Sequence, residues 1–206
     1  MPITEDNLLE AVEKAIQNAQ DLYEEAIILK NHGKIARAYT LFQFSIEEIG
    51  KASMTFHFAM HGNLENEKDC SKFLRNFRDH KIKTEVAQGI DFMFVMISES
   101  SEFTKSILQN FLEKNNKLSL NLSNDKKNYS LYTSFIKKKF YKPNEVILAK
   151  DLDEIESYAN LRLKIARPFF NLGIKNFGLL LESKHLLNEE EAIEEGVTKL
   201  KKLLEL

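Results

Sequence analysis

Cysteine occurs once in this chain, as Cys70. No disulfide can form within it, and a single thiol fits a reducing cytosol. Tryptophan is absent, and glycine (7) and proline (3) are scarce among the 206 residues. A chain with so few breaks, rich in Leu, Ile, Glu and Lys, favours helices. Its 15 Phe must then supply the large core pieces. No apolar run approaches the ~20 residues that cross a bilayer; the tightest, Phe92–Ile97, has six. The opening MPITEDNLLEAVEK is acidic and polar, unlike a secretory signal. The expectation is a cytoplasmic protein without a membrane. Also missing are HExxH, a zinc-ligand Cys/His set, a Walker loop and GxGxxG. Glu182-Ser-Lys-His185 is a lone Glu-x-x-His, where a di-iron bundle needs two. His57 and His61, four apart, form at most a weak pair. No metal and no cofactor are expected.

What is present is unevenly placed charge. The net charge is −2. Residues 5–25 hold seven acids and one Lys, whereas 114–142 hold eight Lys and one Asp. Residues 72–83 hold five Lys or Arg against one Asp. A near-neutral total thus conceals two basic segments, the pattern that matters for polyanion binding.

Hydrophobic spacing organises the chain as one all-α domain over 1–206. Thr4 caps a helix whose Leu8, Val12, Ala15, Ile16 and Ala19 recur at three and four, with Gly33 just past its end. A second helix spans about 34–60, with Ala38, Leu41, Phe42, Ser45, Ile46, Ile49 and Ala52 inward. Residues 65–112 are helical in pattern, with a bend expected near 79–84. Residues 114–150, rich in Asn, Ser, Lys and Tyr, read as a long basic insertion, with a short strand or turn, ending at Pro143. Asp151-Leu-Asp-Glu154 reads as a capping box for a helix that Pro168 kinks or interrupts. Asn188 opens a terminal helix within 186–206. The architecture expected is an antiparallel helical bundle of four to five long helices with that insertion and a C-terminal helix.

Three constellations carry possible chemistry. In RNFRDHKIK, residues 75–83, a neutral His80 imidazole can take a proton from a ribose 2′-hydroxyl, and Arg75 can bind the phosphate. That pair suffices to break RNA into a 2′,3′-cyclic phosphate and a 5′-hydroxyl without a metal. Five residues apart on one straight helix, however, the two side chains point about 140° apart. They converge only if the helix ends there, Arg75 curls back, or a second protomer completes the site. The alternative is a solvated basic face of Arg75, Arg78, Lys81 and Lys83. In Glu47-Glu48-Ile-Gly-Lys51, Glu47 and Lys51 are spaced for a surface ion pair; on so apolar a helix, a Glu can instead orient Arg75 or His80. Finally, Lys126, Lys127, Lys137, Lys138, Lys139 and Lys142 interleave with Tyr129, Tyr132, Phe135 and Tyr141, as single-stranded nucleic acid requires. An exposed Lys-rich loop with structural tyrosines is the plainer reading.

Asn18-Ala-x-x-Leu22-Tyr23-Glu24-Glu25-Ala26, Ala36-x-Ala38-Tyr39-x-Leu41, Ser45-Ile46-Glu47-Glu48-Ile49-Gly50-Lys51-Ala52 and His80-Lys81-x-Lys83 follow one another in an order that resembles the AbiV family of abortive-infection proteins. Lys127-Asn-Tyr-Ser-Leu131-Tyr132-Thr-Ser-Phe135 and Pro143-Asn-Glu145 are similar to a later stretch of that family. The resemblance covers roughly residues 15–170 and implies a HEPN-type helical bundle that dimerises. It implies a metal-independent ribonuclease motif in Arg75-Asn76-x-x-x-His80, Asn76 being the polar residue after the Arg. It further implies defence against phage, with RNA as target and a phage-encoded protein as possible trigger. On this reading His80 is base and then acid, and Arg75 and Asn76 hold the phosphate. Glu47 and Glu48 orient them, while Lys51, Arg78, Lys81, Lys83, Lys127, Lys137, Lys138, Lys139 and Tyr132 contact RNA. The competing reading is a non-catalytic module that captures a phage protein or blocks translation by binding RNA.

Overall fold

The structure, a computed structural model, describes residues 3–80, 82–84, 86–87 and 125–183. The expected terminal helix at 186–206, residues 88–124 and Lys81 lie outside the described residues. The fold is an all-α bundle built on three helices of 27 residues each, α1 (Glu5–Asn31), α2 (Ile35–His61) and, later in the chain, a third at Ala149–Lys175. Thr4 caps α1 by accepting a hydrogen bond from the Asn7 amide at 3.2 Å. Glu5 and Asp6 in its first turn suit the helix dipole. Gly33 takes φ +69°, the left-handed conformation that ends α1 and turns the chain back along it. α1 and α2 form an antiparallel hairpin.

Beyond α2, Asn66 caps α3 (Glu67–Arg78). Asp79 leaves helical geometry at ψ 116°, and its carboxylate accepts from the Ile82 amide at 3.2 Å, so it closes one helix and starts another. The bend expected near 79–84 is therefore at Asp79. Residues 80, 82–84 and 86–87 are helical.

Of the basic insertion, residues 125–150 are described, and they include the short strand or turn expected there, as a hairpin. Residues 125–131 are helical. A hairpin follows, β1 (Ser134–Ile136) antiparallel to β2 (Lys139–Tyr141), then a single turn, α4 (Pro143–Val146). α5 (Ala149–Lys175) starts two residues before the expected cap. Asp151 lies inside its first turn, where its carboxylate accepts from the Leu148 amide at 3.0 Å. Burial raises the Asp151 pKa, but hydrogen bonds from Lys126 and the Leu148 amide outweigh it, and the carboxyl sits below its usual range. Pro168 does not interrupt α5. Next to it, Phe56 touches Phe169, Phe170 and Phe177 of α6 (Phe177–Ser183) edge-on at 5.6–6.3 Å between ring centres. That aromatic packing offsets the ~3 kcal/mol that an interior proline costs a helix.

α2 is the central element. Its Phe42, Ile46 and Ile49 pack against α1 and α5. Ser45 donates to the Ala19 carbonyl of α1 at 2.7 Å. A second stripe, Thr40, Gln43, Glu47 and Gly50, is polar or small yet just as buried. Spaced at three and four, these residues share one face, and two segments lie on it. Ser130 reaches Thr40 at 2.6 Å between hydroxyls, and Thr84 receives a hydrogen bond from Gln43 at 3.4 Å. At Gly50 the backbone of Lys83 comes so close that a Cβ would stand 1.9 Å from its carbonyl oxygen. Among the described residues no helix is long and apolar enough to cross a membrane.

Gly50→Ala should therefore force the 80–84 segment off α2, lowering stability by about 1–3 kcal/mol in urea titration. Gly178→Ala, whose Cβ would meet nothing within 4 Å, should leave stability unchanged or raise it.

Candidate functional site

The buried stripe of α2 brings one carboxylate to three basic groups. Glu47 is 3% exposed. Its Oε2 lies 2.5 Å from His80 Nδ1 and 3.7 Å from Lys83 Nζ, and its Oε1 lies 2.7 Å from Lys127 Nζ. The three partners come from segments 33 or more residues away. Each segment is locally fixed. Thr84 Oγ1 donates to the His80 carbonyl at 3.0 Å, and Ser130 Oγ donates to the Lys127 carbonyl at 2.6 Å. Phe44 lies under the Lys127 ammonium at 5.8 Å.

The imidazole differs from its two neighbours in exposure. Side chains of Lys83 and Lys127 are 5% and 7% exposed, that of His80 57%. Against Glu47, Nδ1 of a neutral ring donates its proton, which leaves Nε2 as the acceptor. The arrangement is an exposed acid–base group braced from behind by a buried acid. Burial lowers the Lys83 pKa below the ordinary lysine value, with Glu47 opposing the shift.

The remaining expected site residues distribute as follows. Glu47 does not pair with Lys51; Lys51 pairs with Glu48 and lies 5.4 Å over the Phe77 ring, clamping α3 to α2. Arg75 and Arg78 are exposed on the last turn of α3. The break at Asp79 separates Arg75 from His80, and among the described residues no contact joins them. Asn76 lines a cleft of about 580 Å³ with Ser53, His57, His61 and Lys72. His57 and His61 are 4.9 Å apart between ring centres. Among the described residues no group of three or more His, Cys, Asp or Glu is placed to hold a metal ion. Lys83 and Lys127, expected on a surface facing RNA, are interior residues bound to Glu47. Lys137, Lys138, Lys139 and Tyr132 are exposed on and beside the hairpin.

Gly50 escaped the sequence reading as a site determinant, although a glycine inside a helical pattern signals close approach. The pairing of Lys127 with Glu47, across 80 positions, carries no sequence signal of its own.

The family model of AbiV, a HEPN family, matches residues 7–164. The chain belongs to the AbiV family, which points to abortive-infection defence against phage. No curated protein and no solved structure matches it.

Two stability outcomes follow from the cluster. Glu47→Gln strands buried ammonium groups and should cost about 3–5 kcal/mol, measured by urea denaturation at neutral pH. Because Lys83 titrates below its unfolded value of 10.5, the unfolded chain holds the extra proton between the two values. Stability therefore gains with rising pH across that window. Lys83→Met should flatten this alkaline gain relative to the native chain; an identical pH profile would refute the assignment.

Proposed function

We propose that this protein acts in abortive-infection defence as a metal-independent endoribonuclease with His80 as its acid–base group. The observation that carries the reading is the 2.5 Å contact between the buried Glu47 carboxylate and Nδ1 of an otherwise exposed imidazole. A carboxylate behind a histidine selects the tautomer and holds the ring, as hydrolytic and transfer sites require.

The step proceeds by transfer within RNA. His80 Nε2 takes the proton of a ribose 2′-hydroxyl as the 2′-oxygen attacks the adjacent phosphorus. The bond from phosphorus to the 5′-oxygen breaks, and the imidazolium returns its proton to that oxygen. The products are a 2′,3′-cyclic phosphate and a 5′-hydroxyl, with no net proton change. Arg75, without an ion pair among the described residues, supplies the guanidinium for the phosphate, and Asn76 a hydrogen bond beside it. Asp79 sets the turn between the two helices, so the phosphate or a second protomer draws Arg75 and His80 together. A homodimer with both sites in one groove is the assembly this reading favours.

The separation of Arg75 from His80 favours one other reading, a module that binds RNA or a phage protein without cleaving it. The two divide on a single variant. Purified protein, incubated with cellular RNA in chelator, should release fragments with cyclic phosphate ends. His80→Ala should lower that rate by about 10²-fold or more, with an unchanged melting temperature, and should abolish phage protection. Full protection by His80→Ala would leave the binding reading in its place.

A further inference from the structure

The β1–β2 hairpin presents a surface that the His80 site does not use. Phe135 and Phe140 are directly opposite in register, their rings 4.8 Å apart. They are 63% and 75% exposed; on the other face of the ribbon Ser134, Ile136 and Tyr141 are half-buried and Lys139 is exposed. Two phenyl rings offered to solvent on one face call for a ligand. Tyr132, 65% exposed, lies two residues before β1.

The charge around the rings is predominantly positive. Lys137, Lys138, Lys139 and Lys142 are all exposed, and none makes an ion pair with a described residue. The nearby acid, Glu145, is exposed and caps the start of α4, its Oε2 accepting from the Lys142 amide at 2.6 Å. The turn itself is also informative. Lys137 and Lys138 take φ 48° and 66°, the pair of left-handed conformations that a two-residue hairpin turn demands. Asn-Gly satisfies that turn without strain, whereas a lysine costs about 1–2 kcal/mol at each position. The chain keeps two ammonium groups at the tip at the expense of the hairpin's own stability, a pattern found where function opposes folding.

We infer that this hairpin is a docking site for single-stranded nucleic acid, with bases stacking on Phe135 and Phe140 and phosphates meeting the tip lysines. An acidic protein segment would match the charge, but it would leave the two bare aromatic faces unexplained. Bases supply both a π-face and a regularly spaced anion. The inference stands apart from the His80 reading, since it concerns binding alone. Both ends of one short segment are then used: Lys127 anchors it at Glu47, and the hairpin begins seven residues later.

The test uses the full chain carrying His80→Ala, so that cleavage plays no part, and fluorescence anisotropy with labelled oligouridylate. Binding should weaken with salt at a slope of about −3 in log K against log salt, as four phosphate contacts predict. Phe135→Ala with Phe140→Ala should lower affinity about tenfold or more and leave the slope alone. Lys137→Asn with Lys138→Gly should raise the melting temperature, keep the hairpin, and reduce the slope by about 1.4. Undiminished affinity in the Phe variant overturns the proposal. So does polyglutamate competing as well as RNA, or a Phe-dependent self-association in sedimentation with RNA affinity intact. A native chain that binds in this way but cuts no RNA would sink the nuclease reading and leave this one standing.

Discussion

The buried carboxylate of Glu47 is the point on which this molecule's two halves meet. Around it gather an imidazole and an ammonium from 80–84 and a second ammonium from 125–131. Withdrawing a carboxylate from water is costly, and the two lysines return that cost only because each is held at short range inside the protein. Apolar side chains of like size would serve stability as well. What they cannot do is fix direction. A carboxylate with two oxygens divides its partners: Oε1 takes Lys127, and Oε2 faces His80 and Lys83. The ion cluster is best understood as a device for placing His80, with folding energy a secondary matter.

That device explains why one face of α2 is so unlike the other. Phe42, Ile46 and Ile49 form a conventional apolar stripe, and it was plain in the sequence from its spacing. So were the Thr4 cap, the Gly33 terminus and a bend near 79–84. Glu47 was visible too, as an acid on a helix with little room for one. Gly50 was harder, because a glycine in a helix reads as a weakness until the Lys83 carbonyl is seen against it. The two lysines were misplaced for a physical reason. Composition counts charges, but burial depends on partners many residues away, and nothing local distinguishes Lys127 from Lys126, which is 40% exposed and pairs with Asp151.

The insertion shows the same limit from the opposite side. Its lysines and tyrosines suggested a loose, polar excursion. Among its described residues, 125–131 pack on α2 through Ser130 and Lys127, and the hairpin stands out. The aromatic pair there is Phe135 with Phe140, while Tyr141 turns inward. Alternation along a strand decides which rings face outward, and the strands are three residues long, too short for the pattern to be read in advance. Proline at 168 misleads for a related reason: a local penalty is visible in the sequence, and the packing of four phenylalanines that outweighs it is not.

The electrostatics of the Glu47 cluster bear on what can stand before His80. One carboxylate faces two lysines, so the charge behind the ring does not cancel. Lys127 alone balances Glu47, and protonated Lys83 adds a positive charge in a region of low dielectric, where burial pushes against it. Glu48 and Lys51 contribute no net charge, being paired with each other. A residual positive field in the interior is costly unless an anion approaches its open side, and the exposed edge of the cluster is the His80 imidazole. The same arithmetic that makes the cluster imperfect as a stabilising ion pair makes it suited to a phosphate, and Arg75 and Arg78 on the neighbouring turn of α3 extend that field outward. An anion approaching the imidazole from solvent would meet this uncompensated charge first, and a neutral ligand would gain nothing from it.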